Sequence, residues 1–144
     1  MSAPAETERF AVRATADSHF SWIRTRLSLE RTMMSWIRTA VALIGFGFTI
    51  VQFLARLDQM PGAKAARHPY AARSLGLALI GCGIVALLIG IWQYLWSVRY
   101  LWSGSFHQIA GLKREGMHSP VLAVAALLIL IGLFAFFAVL LRLE

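Results

Sequence analysis

The chain has 144 residues, 58% of them hydrophobic and 15% charged, with 14 Lys and Arg against 7 Asp and Glu. That length leaves room for one domain at most, and a mean hydropathy of +0.65 lies well above what a soluble domain tolerates. The charges cluster between long apolar runs, so the layout is that of a multi-pass membrane protein. The net charge of +7 gathers at the borders of those runs, where it meets anionic lipid headgroups. No segment outside them is long enough for a nucleic-acid module, and nucleic acid is not an expected partner.

Met1 to Glu6 offers no basic stretch followed by an apolar core, so a cleavable signal peptide is not expected. Residues 1–17 read as a flexible tail ahead of a membrane domain over 18–144. From Ser21 to Thr39 the run Ser-Trp-Ile-Arg-Thr occurs twice, at 21–25 and 35–39. Arg24, Arg31 and Arg38 are spaced by seven, as are Thr25, Thr32 and Thr39, and Ser21, Ser28 and Ser35. A step of seven drifts by only about 20° on a helix, so all nine share one polar arc. Trp22, Ile23, Leu27, Leu29, Met33, Met34, Trp36 and Ile37 occupy the rest of the circumference. This predicts a cytoplasmic amphipathic helix over about 18–35. It would lie along the inner surface or pack on partner helices before the chain enters the bilayer.

Crossing ~30 Å of hydrocarbon takes about 20 apolar residues. The expected fold is therefore all-α, with spans over about 36–55, 75–96 and 120–141 preceded by that amphipathic helix. The first span carries the polar face onward. Arg56 returns to the line of Arg38 after five turns, ~27 Å further along the axis, with Ala42, Gly45, Thr49 and Gln52 on or beside the stripe. Two readings fit: Arg38 snorkels to headgroups while the small residues permit packing, or several copies line an anion path with rings of arginine. In the second span Ala78, Cys82, Ala86 and Gly90 recur every four residues and Gly76, Gly83 and Gly90 every seven. Both rows are helix-packing candidates. The third span contains no charge, and Ser119-Pro120 supplies an N-cap followed by proline at the first helical position.

Trp36, Tyr70, Trp92, Tyr94, Trp96, Tyr100 and Trp102 stand near span ends, as in an interfacial belt. Basic residues set the orientation. Arg9, Arg13, Arg24, Arg26, Arg31, Arg38, Arg99, Lys113 and Arg114 on one side outnumber Arg56, Lys64, Arg67, Arg73 and Arg142 on the other. The expected topology puts the N-terminus in the cytoplasm and the C-terminus outside.

Nothing in the sequence reads as catalytic machinery. There is no Ser/His/Asp, paired-carboxylate, Cys/His or glycine-rich phosphate-binding constellation, and no metal or cofactor is expected. Cys82 is alone and reads as a small packing residue. His19, His68, His107 and His118 lack ligand spacing and read as solvated or interfacial.

The run from Leu27 to Ala40, LSLERTMMSWIRTA, resembles the signature of the YidH-like inner-membrane proteins, domain of unknown function 202. That signature is approximately L-A-x-E-R-T-x-L-A-W-x-R-T. Glu30, Arg31, Thr32, Trp36, Arg38 and Thr39 match it, while Met34 and Ser35 replace its Leu and Ala. The resemblance implies a three-span protein of the bacterial inner membrane. A more distant similarity is to the membrane domain of the vacuolar transporter chaperone, in which an oligomer of three-span units is thought to conduct polyphosphate between basic first helices. It implies an anion-facing role for Arg31 and Arg38 and a pairing or gating role for Glu30. The polymerase and phosphate-sensing domains of that complex have no counterpart here.

The leading expectation is a homo-oligomer in contact with membrane lipids, whose Arg24, Arg31, Arg38 and Arg56 bind or pass an anion such as phosphate or polyphosphate. The alternative is a non-transporting accessory or scaffold subunit that binds anionic lipid or a protein partner.

Overall fold

The computed structural model describes residues 13–57, 59–60, 69–111 and 119–141. In chain order it contains α1 (Ala16–Leu57), α2 (Pro69–Leu101), a 3₁₀ turn at Gly104–Phe106, the single-turn α3 (His107–Ala110) and α4 (Pro120–Leu141). Three of these helices are long and apolar enough to cross a membrane: α1, α2 from Arg73 onward, and α4. The molecule is an all-α, multi-pass membrane protein.

One expectation is overturned. No separate amphipathic helix precedes the first span, because α1 runs unbroken for 42 residues and is itself one of the three spanning helices. At 1.5 Å per residue it is about 63 Å long, roughly twice the hydrocarbon thickness. The physical reason lies in the backbone. No proline occurs from Ala16 to Leu57, and the first glycine is Gly45, so nothing interrupts the hydrogen-bond ladder where hydropathy rises near Ala40. A change of environment is not a change of conformation.

The start of α1 is fixed by Thr15. Its Oγ1 accepts from the Ser18 amide at 3.2 Å, while Ser18 Oγ accepts from the Thr15 amide at 2.9 Å. This is the reciprocal logic of a capping box, with Ser in the usual Glu position. The flexible tail read over 1–17 falls outside the described residues as far as Val12, and its end is already helical from Ala16.

The three spans pack through rows with steps of three, four or seven residues. On α1 the buried row is Met33, Ile37, Ala40, Ile44 and Gly47. On α2 it is Gly76, Ile80, Gly83, Leu87, Gly90 and Tyr94, and on α4 Val121, Ala125, Gly132, Ala135 and Val139. Gly47 meets Gly76, Gly83 meets Ala40 and Ile44, and Gly90 meets Trp36 and Met33, so α1 and α2 run antiparallel. The approach is backbone to backbone: a Cβ added to Gly47 would stand 2.7 Å from the Gly76 oxygen. Close contact of this kind is what drives association where lipid removes the hydrophobic effect. Gly132 of α4 fits between Ile44 and Ile84. Tyr94, assigned to the aromatic belt by its position, is buried in this core.

At one end of the bundle, Arg73 ties α2 to α4. Its Nη2 donates to the carbonyl oxygens of Val139 and Leu140 in the last turn of α4. Those carbonyls have no partner within the helix, and a cation there opposes the negative end of the helix dipole. Arg73→Met should lower stability by about 1–3 kcal/mol, read as a lower unfolding temperature in detergent, and Arg73→Lys should recover part of the loss. Equal stability for all three would remove the clamp from the account.

At the opposite end, Trp22 Nε1 donates to the Leu101 oxygen at 3.2 Å, and the Trp22 and Trp102 rings meet edge to face at 5.5 Å. His19 Nδ1 lies 2.8 Å from the Ile109 oxygen. These bonds hold the first turns of α1 to the end of α2 and to α3. His19, read as solvated or interfacial, is half-buried and tied to α3. Ser119 precedes α4, and its carbonyl accepts from the Leu122 amide at 3.2 Å. Its buried hydroxyl finds no partner among the described residues, so no side-chain cap forms there.

Candidate functional site: the polar face of α1

The nine residues that share one arc by spacing are all exposed: Ser21, Arg24, Thr25, Ser28, Arg31, Thr32, Ser35, Arg38 and Thr39. Ala42, Gly45, Thr49 and Arg56 continue the exposure into the span, and Gln52 is half-buried. The face follows from the packing. α2 and α4 take the opposite side of α1, through Met33, Ile37, Ala40, Ile44 and Gly47, which leaves Arg24, Arg31 and Arg38 uncovered by the other described helices.

The arginines stand one above another. Seven residues rise about 10.5 Å, so Arg24, Arg31 and Arg38 form a column about 21 Å tall. Glu30 is the only acidic residue between Ser21 and Arg56; it is half-buried, and its Oε1 lies 3.9 Å from Arg26 Nε, one turn away. The exposed column itself therefore carries no acidic residue. Beside Arg38 an open groove of about 550 Å³ is lined by Thr39, Ala42, Leu43 and Phe46.

The threonines of this face are satisfied internally. The hydroxyls of Thr25, Thr32, Thr39 and Thr49 donate to the carbonyl oxygens of Ser21, Ser28, Ser35 and Gly45, four residues back, at 3.0, 3.1, 3.1 and 2.7 Å. This back-bonding leaves no threonine hydroxyl stranded if the face enters a dry contact. The same face can thus pack closely and present cations.

The profile of the family described as "Domain of unknown function (DUF202)" matches residues 21–100, more than half of the chain. The chain belongs to this family. No curated protein and no solved structure matches it. The DUF202 region begins at the first residue of the polar face and ends within the last turn of α2. It contains the whole arginine column and the Gly47–Gly76, Gly83 and Gly90 contacts, and it stops before α3 and α4.

The two small-residue rows of α2 part company. Gly83 and Gly90 are buried against α1, Ala86 is half-buried, and Ala78 and Cys82 are exposed. A four-residue step turns about 40° around the helix, so that row winds away from α1, while the seven-residue row stays on it. Arg73, counted in the sequence only as a boundary charge, stands three residues before Gly76, in step with the buried row of α2, and reaches α4. That register is the one signal that could have marked it. No group of three or more His, Cys, Asp and Glu suited to a metal occurs among the described residues.

Proposed function

We propose that this DUF202 protein is a non-enzymatic homo-oligomer in which the polar faces of α1 from several copies turn toward a common axis. There Arg24, Arg31 and Arg38 bind or pass an anion such as phosphate or polyphosphate, with Arg56 at the far boundary. The observation that carries this reading is the uncovered face of a spanning helix. Arg38, Thr39, Ala42, Gly45 and Thr49 are exposed along a segment that lipid would otherwise have to cover. Polar groups within a span ordinarily face a bundle interior or a water-filled path, and rings of arginine are what an anion path requires. Like charges stacked around an axis also need a counter-anion, and the exposed column contains no carboxylate of its own.

Vesicles reconstituted with the protein should bind or take up at least one of chloride, phosphate and short polyphosphate. Failure with all three contradicts the reading. A second reading rests on a different row. Phe20, Leu27, Met34, Val41 and Phe48 are exposed about 40° around α1 from the arginines. An apolar row beside a basic one also suits a scaffold subunit that binds anionic lipid or a partner helix.

The proposed setting is the bacterial inner membrane, with the N-terminus in the cytoplasm and the C-terminus outside. A periplasm-dependent reporter fused after Glu144 should be active, and the same reporter inserted in 112–118 should be silent. The reverse pattern overturns the orientation.

A further inference from the structure

A cavity of about 310 Å³ lies where the first turns of α1 meet the end of α2, the 3₁₀ turn and α3. Ser18, Ser21 and Thr25 form one wall, and Tyr100, Phe106 and Ile109 the other. It is held open by the same bonds that join those segments, Trp22 Nε1 to Leu101 and His19 Nδ1 to Ile109. Its volume is at the low end of small-ligand sites.

The chemistry of the walls selects an apolar occupant. Among the described residues no charged side chain lines the cavity. Ser18 Oγ is engaged with the carbonyls of Arg13 and Thr15, each at 2.8 Å. The Thr25 hydroxyl is spent on the Ser21 oxygen, and the Trp22 indole N–H on Leu101. These hydroxyls offer an anion little, while the aromatic and aliphatic surface suits a hydrocarbon chain.

A second observation says where that chain comes from. Trp92, Trp96 and Tyr100 recur every four residues along α2 and are 71%, 62% and 52% exposed. Trp96 and Tyr100 stack with ring centroids 6.2 Å apart, and Tyr100 lies 5.8 Å from Phe106. The result is an aromatic track about 12 Å long, from the end of the apolar span to the mouth of the cavity, of the residue types that favour the lipid interface. We propose that the cavity holds one acyl chain of a membrane lipid, which reaches it along this track. The site lies within a single chain and does not depend on the anion reading.

The test is photolabelling in phosphatidylethanolamine–phosphatidylglycerol vesicles that contain a trace of phospholipid with a diazirine at the end of one chain. In the wild type, peptides holding Trp22–Thr25 and Tyr100–Ile109 should be labelled. Ser21→Trp and Ile109→Trp, which fill the cavity from opposite walls, should each cut that labelling at least tenfold while label on α4 persists. Thr25→Val keeps the shape and the methyl surface, and should label as the wild type does. Absence of label from these peptides in the wild type, label that survives both fillings, or loss of label in Thr25→Val would overturn the proposal.

Discussion

Arg38→Glu should abolish anion binding and flux in reconstituted vesicles while leaving insertion and helix pairing intact. Arg38 is exposed on the polar face, on the side of α1 away from α2 and α4, so its replacement removes no contact of the buried row. In an oligomer closed on this face the substitution converts a ring of positive charge into a negative one at the point an anion must pass. Two unit charges 4 Å apart near a protein surface interact by about 4 kcal/mol, so losing about two-thirds of that attraction corresponds to roughly a hundredfold in affinity. Arg38→Lys keeps the charge but loses the planar fork that suits phosphate, and a decrease of about tenfold is expected. A headgroup anchor behaves differently: lysine serves as well as arginine, and glutamate impairs insertion. Flux and binding of the three proteins at matched levels separate the two roles.

Gly47→Val should destabilise the fold strongly. The new Cβ would stand 2.7 Å from the Gly76 oxygen and 2.9 Å from Leu79 Cβ. A backbone carbonyl inside a helix cannot give way as a side-chain tip can, so the two helices must separate. The expected cost is about 3 kcal/mol or more, read as loss of a monodisperse folded species or a sharply lower unfolding temperature in detergent. Gly81 supplies the control, since a Cβ there meets nothing within 4 Å. Gly81→Ala should be neutral or stabilising by up to about 1 kcal/mol through helix propensity. Equal effects at the two positions would mean that α1 and α2 do not pair through Gly47 and Gly76.

The spans were legible because about 20 mostly apolar residues with at most one charge have few other uses, and the polar arc was legible because a seven-residue repeat holds one face of a helix. The limits of α1 were not. Amphipathic and apolar stretches share one helical period, so a fall in polarity past Ser35 looked like a boundary between elements when it marks only a boundary between solvents. Tertiary partners that depend on helix register were also hidden. The spacing of Gly76, Gly83 and Gly90 named a packing row, but nothing in it named Gly47 as the counterpart. Arg73, Trp22 and His19 bond to backbone carbonyls 66, 79 and 90 residues away. A carbonyl has no side chain to betray it, so the partners of these three residues leave no pattern in the sequence.

The central claim is that the polar faces of α1 from several copies meet. Single cysteines placed along α1 in a Cys82→Ser background test it most directly, by disulfide formation in native membranes under mild oxidation. The account predicts rapid inter-subunit cross-linking for Ser28→Cys, Ser35→Cys and Ala42→Cys, three positions one heptad apart on the polar face. It predicts little for Val85→Cys, on the exposed side of α2. Cross-linking that is absent from all three polar-face positions, or that is equally strong at Val85, would contradict it.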